Sequence, residues 1–198
     1  MKTQLSGMYA ALITAMNDDQ AYCAERQKSV TKAVLNQGLD GLYVGGSIGE
    51  SGLLNVDELL DQQQIVAETA QNQKQKLIAH VGAPNLRDSI ALAKNAARLG
   101  FDGLSALPPH AYPFTDGEII AYYRNLASAT DLPMIVYEVP VRTNRPLPLP
   151  VLSEILTLPN VAGMKFTSID LFKFSQLKAA HPDKIVYFGF DEIYLSAG

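Results

Sequence analysis

Short apolar segments alternate with longer amphipathic segments along the whole chain. The apolar segments are hydrophobic at nearly every position, which is typical of parallel strands that are buried on both faces. This pattern predicts seven buried strands, at residues 9–15, 41–44, 77–81, 103–107, 134–137, 161–165 and 185–188.

The amphipathic segments between these strands carry the start and stop signals of helices. Asn85 can cap a helix whose apolar residues, among them Leu86 and Ile90, share one face, and Gly100 can end it. Similar patterns predict further helices over residues 25–37, 55–71, 115–129, 149–156 and 171–180. Strands and helices therefore alternate along the chain.

An internal repeat sets the length of one strand–helix unit. The sequence Gly38-Leu39-Asp40-Gly41-Leu42 recurs as Gly100-Phe101-Asp102-Gly103-Leu104, an offset of 100 − 38 = 62 residues, or two units of 31. A constant unit of this length is typical of a (β/α) repeat. Residues 16–21, after the first strand, contain no glycine, which argues against the phosphate loop of a doubly wound sheet.

The fold class predicted is therefore α/β, a (β/α)8 TIM barrel that stops after its seventh strand. We expect a single domain over residues 1–198 that is incomplete at its C-terminus, because such a barrel needs eight units and about 250 residues. Seven strands leave two edges unpaired, so we expect the chain alone to be poorly soluble or partly disordered. A fragment of a longer protein and an incomplete gene both remain open.

Composition and charge narrow the function. The 20 acidic and 16 basic side chains give a net charge of −4, which argues against a nucleic-acid partner. The single cysteine, Cys23, cannot form an internal disulfide or a cysteine-based zinc site, and suits a reducing cytoplasm. No apolar run reaches the roughly 20 residues that span a membrane.

Reactive side chains of a TIM barrel lie at the C-terminal ends of its strands, and four such ends carry candidates. Strand two leads into Gly45-Gly46-Ser47-Ile48-Gly49-Glu50, whose backbone amides could hold a carboxylate or phosphate, or merely form a tight turn. Strand five ends at Tyr137, a residue that could equally serve packing.

Lys165 closes an otherwise apolar strand six. Burial there would destabilise its ammonium and leave a free amine that can attack a carbonyl, although the side chain could instead reach solvent. Strand seven leads to Asp191 and Glu192, which suit hydroxyl binding or are simply solvated acids. The three histidines lack metal-ligand spacing, which argues against a metal site.

Taken together, these motifs resemble the pyruvate-dependent Schiff-base aldolases, the family that contains N-acetylneuraminate lyase and dihydrodipicolinate synthase. Gly46-Ser47-Ile48-Gly49-Glu50 is similar to the family's G-[ST]-[ST]-G-E loop, Tyr137 to the tyrosine of its Y-N-[IV]-P motif, and Lys165 to its Schiff-base lysine. The resemblance runs from about Leu5 to Gly198 with the motifs in family order.

Several segments are similar to the lyase branch of that family, notably Lys165-Phe166-Thr167-Ser168 and Gly189-Phe190-Asp191-Glu192. The resemblance implies reversible cleavage of N-acetylneuraminate, a sialic acid, to pyruvate and N-acetylmannosamine, through an imine on Lys165 and without a cofactor. It implies proton transfer by Tyr137 with Ser47, and carboxylate binding by Ser47 and Ile48. It also implies that the sugar is bound by Thr167, Gly189, Asp191 and Glu192. Full-length members of the family are commonly tetramers.

The chain departs from the family pattern at four positions. Ile48 replaces a hydroxyl residue, Ala111 replaces a relay tyrosine, and Glu138 replaces the common asparagine. Arg142 resembles the dihydrodipicolinate synthase branch, whose arginine binds a second carboxylate. The alternatives are dihydrodipicolinate synthase, a 2-keto-3-deoxy sugar acid aldolase, or a catalytically inactive keto-acid-binding relative.

Overall fold

A computed structural model describes residues 5–197 and places all seven strands in one parallel sheet, in chain order. The strands are β1 (Tyr9–Ala11), β2 (Gly41–Val44), β3 (Lys76–His80), β4 (Gly103–Ala106), β5 (Met134–Glu138), β6 (Val161–Phe166) and β7 (Ile185–Phe188). The helices are α1 (Ala24–Leu35), α2 (Val56–Thr69), α3 (Leu86–Arg98), α4 (Asp116–Ala127), α5 (Pro140–Thr143), α6 (Leu149–Thr157) and α7 (Leu171–Ala180).

The sheet is curled, with a small apolar core inside it and a larger one between sheet and helices. Its two outer strands approach each other across the interior. The rings of Tyr9 on β1 and Tyr187 on β7 lie 5.5 Å apart, edge to face, and the Tyr187 hydroxyl donates to the carbonyl of Leu5. The structure confirms the predicted α/β class and seven units of a TIM barrel.

Helix ends follow the predicted signals. The Asn85 side chain accepts a hydrogen bond from the Asp88 amide at 2.9 Å and caps α3. At the other end Gly100 has φ +81°, and the amides of Gly100 and Phe101 bond back into the last turn. This is the Schellman arrangement, which a residue with a side chain would strain.

Two local features differ from the sequence prediction. The first strand ends at Ala11 instead of residue 15, because the chain leaves the sheet and Met16 pairs with Tyr22 in an antiparallel bridge. The short helix α5 follows β5 directly, and the sequence does not predict it because four residues are too few to show a helical repeat of apolar positions.

The inner and outer faces of the strands alternate, as a pleated sheet requires. Ile78, Ile135 and Ile185 project into the inner core, whereas Leu42, Leu104 and Met164 face the helices. The side chains that point inward near the C-terminal strand ends are therefore brought together. No helix within residues 5–197 is long and apolar enough to cross a membrane.

Candidate active site

Lys165 lies inside the curled sheet, between two tyrosine rings. Its Nζ is 4.2 Å from the ring centroid of Tyr43 and 4.3 Å from that of Tyr137. The register of the sheet places Tyr137 on β5 directly beside Lys165 on β6, so their side chains project together. Nζ lies over both rings, within the distance range of cation–π contacts.

Thr167 and Gly189 adjoin the lysine. A Cβ built on Gly189 would lie 2.1 Å from Oγ1 of Thr167 and 3.1 Å from Cε of Lys165, so a side chain at position 189 would clash with the Thr167 hydroxyl. The Thr167 hydroxyl is buried and has no hydrogen-bond partner among the described residues. Lys165, Tyr137, Thr167 and Gly189 thus form one compact group with a free polar atom.

The loop after β2 reaches the same group through Tyr43. A Cβ on Gly46 would lie 2.5 Å from Cε1 of Tyr43, so this glycine packs directly on the ring. Ser47 is half-buried and Ile48 is 57% exposed in the next two positions. Asp191 and Glu192 are exposed on the 3-10 turn Asp191–Ser196, which follows β7 shortly after Gly189.

His80 and Tyr43 are the residues of this group that motif reasoning did not assign to the site. The sequence analysis gave neither a role, although strict alternation along β2 and β3 places both side chains on the inner face with Lys165. His80 is buried, and its Nε2 accepts the Leu107 amide proton at 3.2 Å. Its ring lies 6.0 Å from Tyr137, edge to face.

The electrostatics keep these rings uncharged. Burial, reinforced by the charge of Lys165, lowers the pKa of His80 to about 3, so the ring is neutral at ordinary pH. Burial raises the pKa of Tyr43 well above its usual range, and the phenol stays protonated. The rings of Tyr43 and His80 are therefore both uncharged.

The burial of His80 predicts that acid destabilises the fold. In the unfolded chain His80 has an ordinary pKa of 6.5 and is protonated below that pH. In the folded chain its pKa is about 3, so the imidazole stays neutral until the pH is much lower. The free energy of unfolding should therefore fall as the pH decreases through 6.5. From pH 7 to pH 5 we expect a loss of about 2 kcal/mol, measured by urea denaturation.

Two variants isolate this contribution. His80→Gln retains an acceptor for the Leu107 amide but cannot titrate, so its stability should vary less between pH 7 and pH 5. His110→Gln, at an exposed position, should keep the pH dependence of the wild type. Identical pH dependence in His80→Gln and the wild type would contradict the assignment.

A cavity of about 410 Å³ lies elsewhere, between the β4–α4 loop and the segment after α5. Its lining includes His110, Ala111, Tyr112 and Arg145, and none of the predicted site residues. Arg145 is held there by the Phe114 carbonyl and by Asp116. No group of three or more His, Cys, Asp or Glu side chains within residues 5–197 could hold a metal ion.

A curled parallel sheet with a lysine near the C-terminal ends of its strands is the arrangement of a (β/α) barrel whose candidate site lies at the usual end of the sheet. Residues 4–198 match the dihydrodipicolinate synthetase family, and the chain belongs to that family.

Curated relatives and solved structures agree with this assignment. The chain is 43% identical to the N-acetylneuraminate lyase of Enterobacter sp. (strain 638), over 99% of this chain and 66% of that protein. It is 41% identical to the N-acetylneuraminate lyase of Rhizobium meliloti (strain 1021), over 98% of this chain and 64% of that protein.

Among solved structures, CdNal from Clostridium difficile in complex with mannosamine superposes with a TM-score of 0.91 at 33% identity, covering 98% of this chain and 67% of that one. N-acetylneuraminate lyase from Mycoplasma synoviae superposes with a TM-score of 0.90 at 31% identity, with the same coverage. The chain thus spans about two thirds of the length of the curated relatives it matches.

Proposed function

We propose that this site is that of a class I aldolase, a carbon–carbon lyase that cleaves N-acetylneuraminate reversibly to pyruvate and N-acetylmannosamine. The observation that carries the proposal is the enclosure of Lys165 Nζ between the rings of Tyr43 and Tyr137, at 4.2 and 4.3 Å from their centroids. The lyases named among the relatives support the choice of substrate.

In this mechanism the Lys165 amine attacks the C2 ketone of the open-chain sugar acid, and water leaves to give an iminium ion. The iminium accepts the electron pair of the C3–C4 bond as that bond breaks, which forms an enamine and releases the sugar aldehyde. Tyr137, adjacent to Lys165, takes the proton of the C4 hydroxyl, with Ser47 linking it to the substrate. Protonation and hydrolysis of the enamine then release pyruvate.

The remaining predicted residues would bind the ends of the substrate. The amides of Ser47 and Ile48 would hold the carboxylate, and this role survives the replacement of a hydroxyl residue by Ile48, since a backbone amide makes the contact. The buried hydroxyl of Thr167, which has no partner among the described residues, lies against Gly189 and would bind the sugar. Asp191 and Glu192 would accept hydrogen bonds from its polyhydroxyl tail.

The assembly and location belong to the same proposal. We expect one barrel domain over residues 1–198. The full-length protein should be a homo-oligomer, a tetramer as in many members of the family. We also expect a cytoplasmic location, with neither nucleic acid nor a membrane as partner. Size-exclusion chromatography with light scattering would test the oligomer.

The direct test is to incubate the chain with N-acetylneuraminate and follow N-acetylmannosamine and pyruvate by proton NMR. Parallel reactions with the substrates of dihydrodipicolinate synthase and with 2-keto-3-deoxy sugar acids separate the related activities. We expect product only from N-acetylneuraminate. In a second arm, pyruvate and borohydride are added, because borohydride reduces an imine to a stable amine that intact-mass spectrometry detects.

The two arms distinguish the possible failures. An adduct without cleavage of N-acetylneuraminate would retain the aldolase chemistry and reject this substrate. Circular dichroism verifies that the chain is folded. If the folded chain forms no adduct and cleaves no substrate, the proposal is rejected and a keto-acid-binding role is favoured.

A further inference from the structure

The Tyr43 ring is fixed independently of Lys165. Its hydroxyl donates to Oγ of Ser105 on β4 at 2.8 Å, and both residues are buried. Because burial keeps the phenol protonated, the hydroxyl remains a donor across the working pH range. The ring therefore has one edge attached to β4 and one face directed at the amine on β6.

Three aromatic rings contact one another around the lysine. Tyr43 and Tyr137 lie 6.0 Å apart at 79°, His80 and Tyr137 6.0 Å apart at 87°, and Tyr43 and His80 6.2 Å apart at 43°. Edge-to-face contacts at such separations are favourable and directional. We call Tyr43, His80 and Tyr137 the ring triad.

Close backbone contacts leave the triad little room to move. Gly46 packs on the Tyr43 ring, and a Cβ on Gly82 would lie 3.0 Å from Nε2 of His80. His80 is also tied to the Leu107 amide, at the start of the loop after β4. The rings are thus held by strands β2, β3, β4 and β5 before any ligand binds.

We propose that Tyr43, held by Ser105 and His80, is a positioning residue for the Lys165 amine in the aldolase reaction. This inference rests on the proposed function. Lysine has a long, flexible side chain, and attack on a ketone requires its nitrogen near the carbonyl carbon in a defined direction. The rings of Tyr43 and Tyr137 cover two sides of Nζ, and Gly189 packs closely on Thr167 and on the Lys165 stem.

The experiment measures the rate of pyruvate trapping by borohydride as a function of pyruvate concentration, by intact mass. Tyr43→Leu removes the ring, and Tyr43→Phe keeps the ring but removes the bond to Ser105. We expect Tyr43→Leu to lower the trapping rate at saturating pyruvate about ten-fold or more, with the half-saturating concentration little changed. Tyr43→Phe should recover most of the rate, within a few-fold of the wild type.

Ile78→Ala is the matched control, because it opens a cavity in the same inner core without removing a ring from the triad. Its trapping rate should stay near that of the wild type even though its stability falls. If Tyr43→Leu does not fold, Ser105→Ala provides the test, since it keeps the ring and frees its edge. Ser105→Ala should then lower the saturating rate a few-fold.

Several results would overturn the inference. One is a folded Tyr43→Leu that traps pyruvate at the wild-type saturating rate, and another is a rate loss as large in Ile78→Ala. If Tyr43→Leu raises the half-saturating pyruvate concentration and leaves the saturating rate unchanged, Tyr43 only supports the loop after β2 that contains Gly46. If Tyr43→Leu is unfolded, a Ser105→Ala variant that traps pyruvate at the wild-type saturating rate would also overturn the inference. Absence of trapping in the wild type would instead refute the proposed function itself.

Discussion

Lys165→Met should abolish the pyruvate adduct, lowering the trapping rate by at least about a thousand-fold. Methionine matches the length of the lysine stem and fills the space between the rings of Tyr43 and Tyr137, but it has no nucleophilic nitrogen. In the proposed mechanism the iminium forms on that nitrogen, so every later step requires it. Intact mass and peptide mapping after borohydride treatment measure the loss.

The control is the same substitution on the outer surface. Lys94 lies on α3, is exposed and faces away from the inner core, so Lys94→Met should form the adduct at the wild-type rate. Thermal denaturation should show Lys165→Met folded, since methionine fills most of the volume of the lysine stem and opens no cavity. An adduct of undiminished yield in Lys165→Met would place the imine on another lysine and reject the site.

Lys173→Met should lower the free energy of unfolding by about 3 kcal/mol at pH 7. Lys173 lies 3.5 Å from the Glu138 carboxylate, and Glu138 is completely buried at the end of β5. The second carboxylate oxygen of Glu138 has no partner among the described residues, whereas the first accepts the Leu147 amide at 3.0 Å. Removal of the lysine would leave a buried charge that only protonation can relieve.

The pH dependence of this loss has a defined sign. Burial raises the pKa of Glu138, and Lys173 and the Leu147 amide oppose that rise, so without Lys173 the pKa rises further. In the folded variant the Glu138 carboxyl therefore stays protonated at pH values where the same group in the unfolded chain, with an ordinary pKa of about 4.5, has lost its proton. Its deficit should therefore be small near pH 5 and grow by up to about 1.4 kcal/mol per pH unit towards pH 7.

Urea denaturation at both pH values measures the deficit. The double variant Glu138→Gln/Lys173→Met should recover most of the stability, because it leaves no uncompensated charge in the interior. Asp18→Ala, which breaks the exposed pair with Arg26, should change little. A deficit in Lys173→Met that is the same at pH 5 and pH 7 would show that Glu138 is not the affected group.

The fold follows from local features of the sequence. Regularly spaced apolar runs predict the strands, and signals such as Asn85 and Gly100 predict the ends of the helices between them. The alternation of strands and helices predicts that the strands are parallel and in chain order. Strand one was predicted too long, because apolar composition continues past Ala11 although the backbone turns out of the sheet. Hydrophobicity marks burial, and the loop after Ala11 includes buried residues too.

The candidate site was predicted in part. Lys165 and Tyr137 stand out because each ends a buried strand, and the structure places them side by side. Tyr43 and Ser105 lie in segments that are similar to the lyase branch, but their place within a strand gave neither residue a role. Their relation to Lys165 depends on the curvature of the sheet, which brings β2 and β4 opposite β6 across the interior.

The sequence by itself determined the order of the strands and helices, the family motifs and the residue types at the strand ends. These depend on periodicity and turn chemistry within a few tens of residues. Only the tertiary structure decided which inward side chains meet: the Tyr43 ring on Lys165, His80 on Tyr137, and Lys173 on the buried carboxylate of Glu138. Such contacts join residues far apart in the chain, and the curl of the sheet and the packing of helices fix them.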